Sequence, residues 1–167
     1  MRIRKVESSD LDALVRVENL CFPPAEAATR ETFTYRIAAF PESFYVAVEN
    51  NELIGIVNGC VTDNLTISDD LFEPMGGHNP NGKNQTVFGL LVDPAYQRQG
   101  VAAKLMNHMM GAAKQAGRDK MILTCKEHLI KYYEGFGYEN LGVSKSTHGG
   151  AVWYDMVADL SAHTDSE

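Results

Sequence analysis

Leu90-Leu91-Val92-Asp93-Pro94-Ala95-Tyr96-Gln97-Arg98-Gln99-Gly100-Val101-Ala102-Ala103 is the stretch whose reading decides the fold. Val87, Phe88, Leu90, Leu91 and Val92 make a short apolar run, the mark of a buried strand. Asp93-Pro94 ends it, because proline has no N–H for a ladder and restricts the residue before it. A polar turn, Gln97 to Gly100, comes next. Val101, Leu105, Met106, Met109 and Met110 then fall at helical spacing. Strand, turn and helix in that order place backbone N–H groups of the turn beside the first orphan N–H groups of the helix. That concavity suits an anion such as a pyrophosphate. Gly100 allows close backbone approach, and Ala102 and Ala103 leave room beside it. The pattern is neither G-x-G-x-x-G nor G-x-x-x-x-G-K-[ST], so dinucleotide-fold and P-loop readings lose support.

Working outward, Gly89 inside the strand predicts a bulge there, which would splay the strand from its neighbour. Backbone groups left unpaired by a splay could accept an extended amide chain as an added strand. Upstream, Arg2–Val6 reads as a first strand, Ser8-Ser9-Asp10 as helix N-cap chemistry, and Leu11 to Phe22 as an amphipathic helix ended by Pro23-Pro24. A second short helix starts at Thr29. Two strands, 44–48 and 53–61, flank a tight Asn50-Asn51 turn. Residues 63–84 have no clean period and read either as a mobile hairpin insertion or as a flap over a substrate site. Downstream, Gly117 ends the long helix and 120–125 is a strand. Residues 127–134 form a short helix stopped by Gly135 and Gly137, and 138–146 and 151–157 are the last strands. The order is β-α-α-β-β-β-α-β-α-β-β: an α/β fold, a mixed sheet with helices on both faces, in one domain spanning 1–160 with a polar tail at 161–167.

The 167 residues suffice for one domain with a real core, and the 44% apolar and 22% charged fractions are ordinary for a globular chain. A net charge of -7 argues against nucleic acid as the main partner and mildly favours a cationic substrate. Cys21, Cys60 and Cys125 form no C-x-x-C pair, so no structural zinc or other metal site is expected and the compartment reads as reducing. The start of the chain lacks a signal-peptide core and no apolar run reaches membrane-spanning length, so the expected location is cytoplasmic, away from membranes. Monomer and homodimer both stay open.

Gln97-x-x-Gly100-x-Ala102 after Val-Asp-Pro resembles the Q/R-x-x-G-x-G/A signature of the GNAT N-acetyltransferases, and Tyr133-Glu134-x-x-Gly137-Tyr138 resembles the family's YE-x-x-GF ending. The resemblance implies the GNAT fold, with splayed central strands forming an acetyl-CoA cleft. It implies that the backbone of Leu90, Leu91 and Val92 holds the pantetheine arm. Gln97, Arg98, Gln99, Gly100, Val101, Ala102 and Ala103 would hold the pyrophosphate. It also implies Tyr133 near the thioester sulfur. A thiol has a pKa near ~8.5 and a phenol near ~10, so a tyrosine can protonate a departing thiolate at small cost. On its own, Tyr133 reads better as a packed helix aromatic; together with the Gln97–Ala102 turn, the catalytic role is the better reading. The segment from Cys125 to Tyr138, the insertion, and Ser144 to Asp155 are similar to the arylalkylamine (serotonin) N-acetyltransferase branch. The vertebrate enzymes of that branch carry two strand histidines where this sequence has Thr86 and Phe88, so the proton route must differ.

The resemblance implies transfer of the acetyl group of acetyl-CoA directly to a primary amine, an arylalkylamine or polyamine-like acceptor, with the oxyanion held by strand N–H groups. An amine of pKa near ~10.4 is neutral in about one molecule per few thousand at pH 7, a cost of roughly 4–5 kcal/mol, so something must accept its proton. Glu26, in the stiff Phe22–Ala28 loop, is the first candidate base; the alternative is a solvated loop glutamate. Glu18 is a weaker candidate base, reading as a helix-surface residue; His128 and His148 are further candidates, although a lone histidine is more often structural; Cys125 reads as strand-end core and not a nucleophile. Two other readings remain: acetylation of a protein N-terminus or lysine, and a non-catalytic acyl-CoA-binding module.

Overall fold

The computed structural model describes residues 1–72 and 77–161. The chain forms two compact units, Met1–Gly59 with Gly89–Met109, and Cys60–Phe88 with Met110–Glu167.

The first unit carries strands β1 (Arg2–Lys5), β2 (Phe44–Glu49) and β3 (Glu52–Asn58), and helices α1 (Leu11–Cys21) and α2 (Arg30–Ala39). A fourth strand, which the chain numbering makes β6 (Gly89–Val92), completes an antiparallel sheet in the order β1-β2-β3-β6. The Asn50-Asn51 turn has φ of 51° and 63°, the left-handed pair that a two-residue hairpin of matching twist requires. Thr29 caps α2 by accepting from Thr32 N–H at 3.2 Å. Of the expected Ser8-Ser9-Asp10 cap, Asp10 stands at the N-cap of α1, while Ser8–Asp10 itself forms a 3₁₀ turn capped by Glu7: Asp10 accepts from Glu7 N–H at 2.8 Å and from both Arg4 guanidinium nitrogens at 2.9 Å. Strand alternation sends Phe44, Val46, Ile56 and Leu91 to one face, where they are buried with Leu14, Val17 and Phe33 of the two helices. The opposite face meets the start of α3 (Val101–Gln115): a Cβ on Gly55 would come within 2.9 Å of Leu105 Cδ1, and Tyr45 packs edge-on to His108 at 4.5 Å. Helices therefore cover both faces of this sheet.

The second unit holds β4 (Val61–Thr62), β5 (Asn84–Val87), β7 (Lys120–Cys125), β8 (Glu139–Val143), β9 (Tyr154–Asp159) and helix α4 (Ile130–Glu134). The sheet order is β4-β5-β7-β9-β8, with β5 and β7 parallel and the other pairs antiparallel, so this sheet is mixed.

Several boundaries differ from the sequence reading. The run 85–92 is not one strand with a bulge. It breaks at Phe88; β5 joins the second sheet and β6 the first, and Gly89 pairs in regular register with Asn58. The expected bulge is replaced by a change of sheet. The expected strand 53–61 ends at Asn58, and Val61–Thr62 form the separate two-residue strand β4. The last strand starts at Tyr154, because Gly149 and Gly150 at φ of 65° and 74° and the Trp153 indole bond to His148 C=O hold the preceding segment as a loop. Gly135 does not stop α4, since its φ of -62° is helical. Gly137 does, at φ 97°: its N–H reaches Glu134 C=O at 3.0 Å and Tyr138 N–H reaches Tyr133 C=O at 3.3 Å. Of the expected polar tail, residues 162–167 lie outside the described residues, as do 73–76 of the insertion.

Gly137→Ala should therefore cost about 1 kcal/mol through its left-handed φ. Thermal unfolding should show a fall of about 2–4 °C for a chain of this size; an unchanged midpoint would refute the cap.

Candidate functional site

β6 ends the order of its sheet, and its register tells which backbone groups face the open edge. Asp93 N–H bonds to Ile54 C=O at 2.7 Å, so Leu91 and Gly89, at the same phase, also point at β3. Leu90 and Val92 point the other way, and among the described residues no strand pairs with that edge. The Val92 carbonyl accepts from Gln97 Nε2 at 3.1 Å and from Cys21 Sγ at 3.3 Å. Leu90 N–H and C=O and Val92 N–H are the other groups turned to that side. An extended chain carrying amides has its natural partners there.

Asp93 fixes the turn beyond β6. Its Oδ1 accepts from Ala95 N–H at 2.9 Å, capping a 3₁₀ turn at Pro94–Tyr96, and its Oδ2 meets Arg16 Nη1 at 3.1 Å. Arg16 Nη2 continues to Leu53 C=O at 2.9 Å, so α1, β3 and the turn share one carboxylate. The Ala95 N–H bond holds the Asp93 carboxyl below the usual carboxylate range; burial opposes this and the Arg16 pair adds to it.

Past the turn, Arg98 and Gly100 are both left-handed, at φ 64° and 83°. A Cβ at Gly100 would meet no protein atom within 4 Å, so within the fold itself glycine is required by its φ. Arg98 has no such freedom, and a left-handed arginine costs about 1–2 kcal/mol. Such strain collects at ligand clamps. The first intrahelical bond of α3 runs from Lys104 N–H to Gly100 C=O at 3.1 Å, so the N–H groups of Val101, Ala102 and Ala103 precede the ladder. Gln97 to Gly100 are exposed, and Ala102 and Ala103 half-buried. The result is an accessible concavity of backbone N–H groups with positive dipole character. The Gln97 side chain turns back onto the strand, donating to Val92 C=O, and holds the turn's shape.

Glu26 lies in the same unit, half-buried, in a tight turn where Glu26 and Ala27 N–H both reach Pro23 C=O, at 2.9 and 3.0 Å. Glu18 is not on the helix surface. It is 6% exposed, and its Oε2 accepts from Ala28 N–H at 2.9 Å, pinning the far end of that loop. Period alone put Glu18 outside because the loop that covers it is not periodic.

Tyr133 belongs to the second unit. It is 9% exposed on α4, with ring edges toward Tyr132 at 5.2 Å and Tyr138 at 5.9 Å. Burial first, then Cys125 and Tyr132, push its phenol well above the ordinary value, so it is neutral at any physiological pH. Burial pushes the Cys125 thiol up to about 11, so that it is no thiolate and no ready nucleophile. His128 is exposed. His148 stacks on Phe72 at 5.1 Å, and Phe72 lies 4.8 Å from Phe88.

The described part of the insertion is tied down. Asp69 accepts from Ser146 Oγ and from Thr147 N–H, the latter at 3.3 Å, and Leu71 is buried. On the other side of the insertion Arg118 donates to Gly82 and Pro80 C=O at 2.8 and 3.1 Å.

The sequence profile of the acetyltransferase (GNAT) family matches residues 11–138. The chain belongs to this family. Among curated relatives it is 26% identical over 130 residues to a probable hydrolase, YhcX, of Bacillus subtilis, covering 74% of this chain and 25% of that one. It is 22% identical over 116 residues to the serotonin N-acetyltransferase of Mesocricetus auratus, covering 69% and 55%. The chain thus spans between a quarter and about half the length of these relatives. Among solved structures it is similar to the GphF GNAT-like decarboxylase in complex with isobutyryl-CoA, with a TM-score of 0.81, 20% identity, and coverage of 96% of this chain and 100% of that one. The fold is therefore the GNAT fold. Among the described residues no helix is long and apolar enough to cross a membrane.

Replacing Asp93 by alanine should cost about 1 kcal/mol at pH 7 through the lost cap. Because its folded pKa is depressed, that stabilisation exists above the ordinary carboxylate range and is lost as pH falls through the folded value. Urea unfolding of wild type and variant should converge below pH about 4; a constant gap down to pH 2 would contradict the assignment.

Proposed function

We propose that this GNAT member transfers the acetyl group of acetyl-CoA directly to a primary amine, an arylalkylamine or polyamine-like acceptor. The observation that carries the cosubstrate is the continuous run from the outward-facing Leu90 and Val92 amides, through left-handed Arg98 and Gly100, to the N–H groups of Val101, Ala102 and Ala103. Strand-edge amides suit the amide-bearing pantetheine arm, and the turn suits the pyrophosphate. A relative in structure carries isobutyryl-CoA, which supports an acyl-CoA ligand here. The bound thioester supplies an activated acyl group.

The chain's own residues do the rest. The outward-facing backbone of Leu90 and Val92 and the turn from Gln97 to Ala103 orient the cosubstrate; the Leu91 backbone, expected to share in this, is turned to β3 instead. Tyr133 acts as the acid for the departing sulfur. Its buried phenol is a weaker acid than free tyrosine; burial weakens a thiol too, as Cys125 shows, which offsets part of that loss. Glu26 is the group proposed to accept the amine's proton, held by the Pro23–Ala28 loop that Glu18 anchors.

Thiol release from acetyl-CoA across tryptamine, phenethylamine, spermidine and a short peptide with a free N-terminus tests the reading. Release with one small-amine class is expected. Release with the peptide alone would replace the acceptor by a protein terminus, and acetyl-CoA binding without any release would leave a binding module. Tyr133→Phe should lower turnover well over tenfold with little change in acetyl-CoA affinity, and wild-type-like turnover at saturation would remove it as the acid. With its pKa raised, Tyr133 should add no alkaline limb below pH about 10. Glu26→Gln should lower the rate most at low pH; an unaltered pH–rate profile would remove it as the base.

A further inference from the structure

The second unit holds a carboxylate that neither the family signature nor the proposed transfer uses. Asp155 sits in β9, paired with Thr124 of β7 on one side and Gly142 of β8 on the other. Its Oδ1 is shut off from solvent and has no hydrogen-bonding partner among the described residues. An unmet buried carboxylate oxygen is costly, and such groups in native structures call for an explanation. Burial pushes the Asp155 carboxyl up, against a hydrogen bond from the Ser144 side chain.

Aromatic rings surround the same end of the sheet. Val87 pairs with Leu123, so Phe88 comes level with Thr124, in the row of Asp155. Two residues past Thr124, Lys126 places its ammonium 5.8 Å from the ring centroid of Trp153, two residues before Asp155. Trp153 lies 6.2 Å from His148, His148 stacks on Phe72, and Phe72 meets Phe88. Phe72, Phe88, His148 and Trp153 are all half-buried, so the cluster keeps exposed ring surface. Charged or titratable side chains near it include Lys126, His148, Asp69 through its bond to Ser146, and Glu127, which accepts from the Tyr154 hydroxyl at 3.3 Å.

We propose that Asp155 and the rings of Phe72, Phe88 and Trp153 form the subsite that takes the acceptor as its ammonium ion, with the aromatic or alkyl body against the rings. A carboxylate oxygen without a donor and electron-rich ring faces ask for the same ligand, an organic cation. Lys126 over Trp153 shows that one of these rings already accepts a cation. This rests on the transferase reading for its role in catalysis, but not for binding. No proton or covalent step is assigned to Asp155.

Trp153 is the single tryptophan of the chain, so its fluorescence reports on this cluster directly. Titration of the wild-type protein with phenethylamine and with 2-phenylethanol, its neutral counterpart, should give a saturable change with the amine at least about tenfold tighter. Asp155→Asn should abolish that preference while acetyl-CoA affinity and far-ultraviolet dichroism stay unchanged. Asp155→Ser is the second variant should the first not fold. No saturable response to the amine, no preference over the alcohol, or a preference that survives loss of the carboxylate would each overturn the subsite. Thiol release is read separately. Binding without release sinks the transferase and leaves the subsite; release in a protein indifferent to Asp155 sinks the subsite alone.

Discussion

One extended segment cannot pair along its whole length with two different sheets, and the rest of this structure depends on how that is resolved. Asn84–Val87 gives its backbone to β7, and Gly89–Val92 gives its backbone to β3. Phe88 is where allegiance changes. The change leaves β6 with one laddered edge and one edge that, among the described residues, has no strand partner. An unladdered edge in a buried apolar strand is expensive unless something extended completes it. The backbone thus supplies a binding surface from the same groups that build the sheet, with no dedicated side chain.

The turn after β6 is shaped by side chains that direct their polar groups inward. Asp93 serves the Ala95 amide and Arg16; Gln97 serves the Val92 carbonyl. Backbone N–H is left to face outward. Arg98 in a left-handed conformation is the local cost of that arrangement, a cost borne by the cap and the ion pair around it. In the second unit the turn at Gly137 lets the N–H groups of Phe136 and Tyr138 both reach the Tyr133 carbonyl, so the ring is positioned by backbone and packing.

How much of this could be read from the residues depended on the range of the interaction. Val-Asp-Pro, Asn-Asn and the Thr29 cap were legible because each acts within a few positions. The signature Gln97-x-x-Gly100-x-Ala102 marked the turn for the same reason. The break at Phe88 was not, since β5 and β6 look alike as apolar sequence and differ only in distant partners. Gly89 drew attention one residue late. Glu18 was assigned to the surface because its cover, the Pro23–Ala28 loop, has no period. Asp155 had a faint signal, a carboxylate amid Val152, Trp153, Met156 and Val157, but its isolation shows only once Thr124 and Gly142 are beside it.

The bond from Asp69 to Ser146 and Thr147 joins positions 77 and 78 residues apart in the chain. The insertion and the 144–148 segment are therefore a matched pair, like two halves of a clasp. A graft of a relative's insertion alone would leave Ser146 and Thr147 without their acceptor and Phe72's neighbours without their ring. New acceptor preferences in this scaffold should travel as exchanges of both segments together, and single-loop chimaeras should lose order before they change what they recognise.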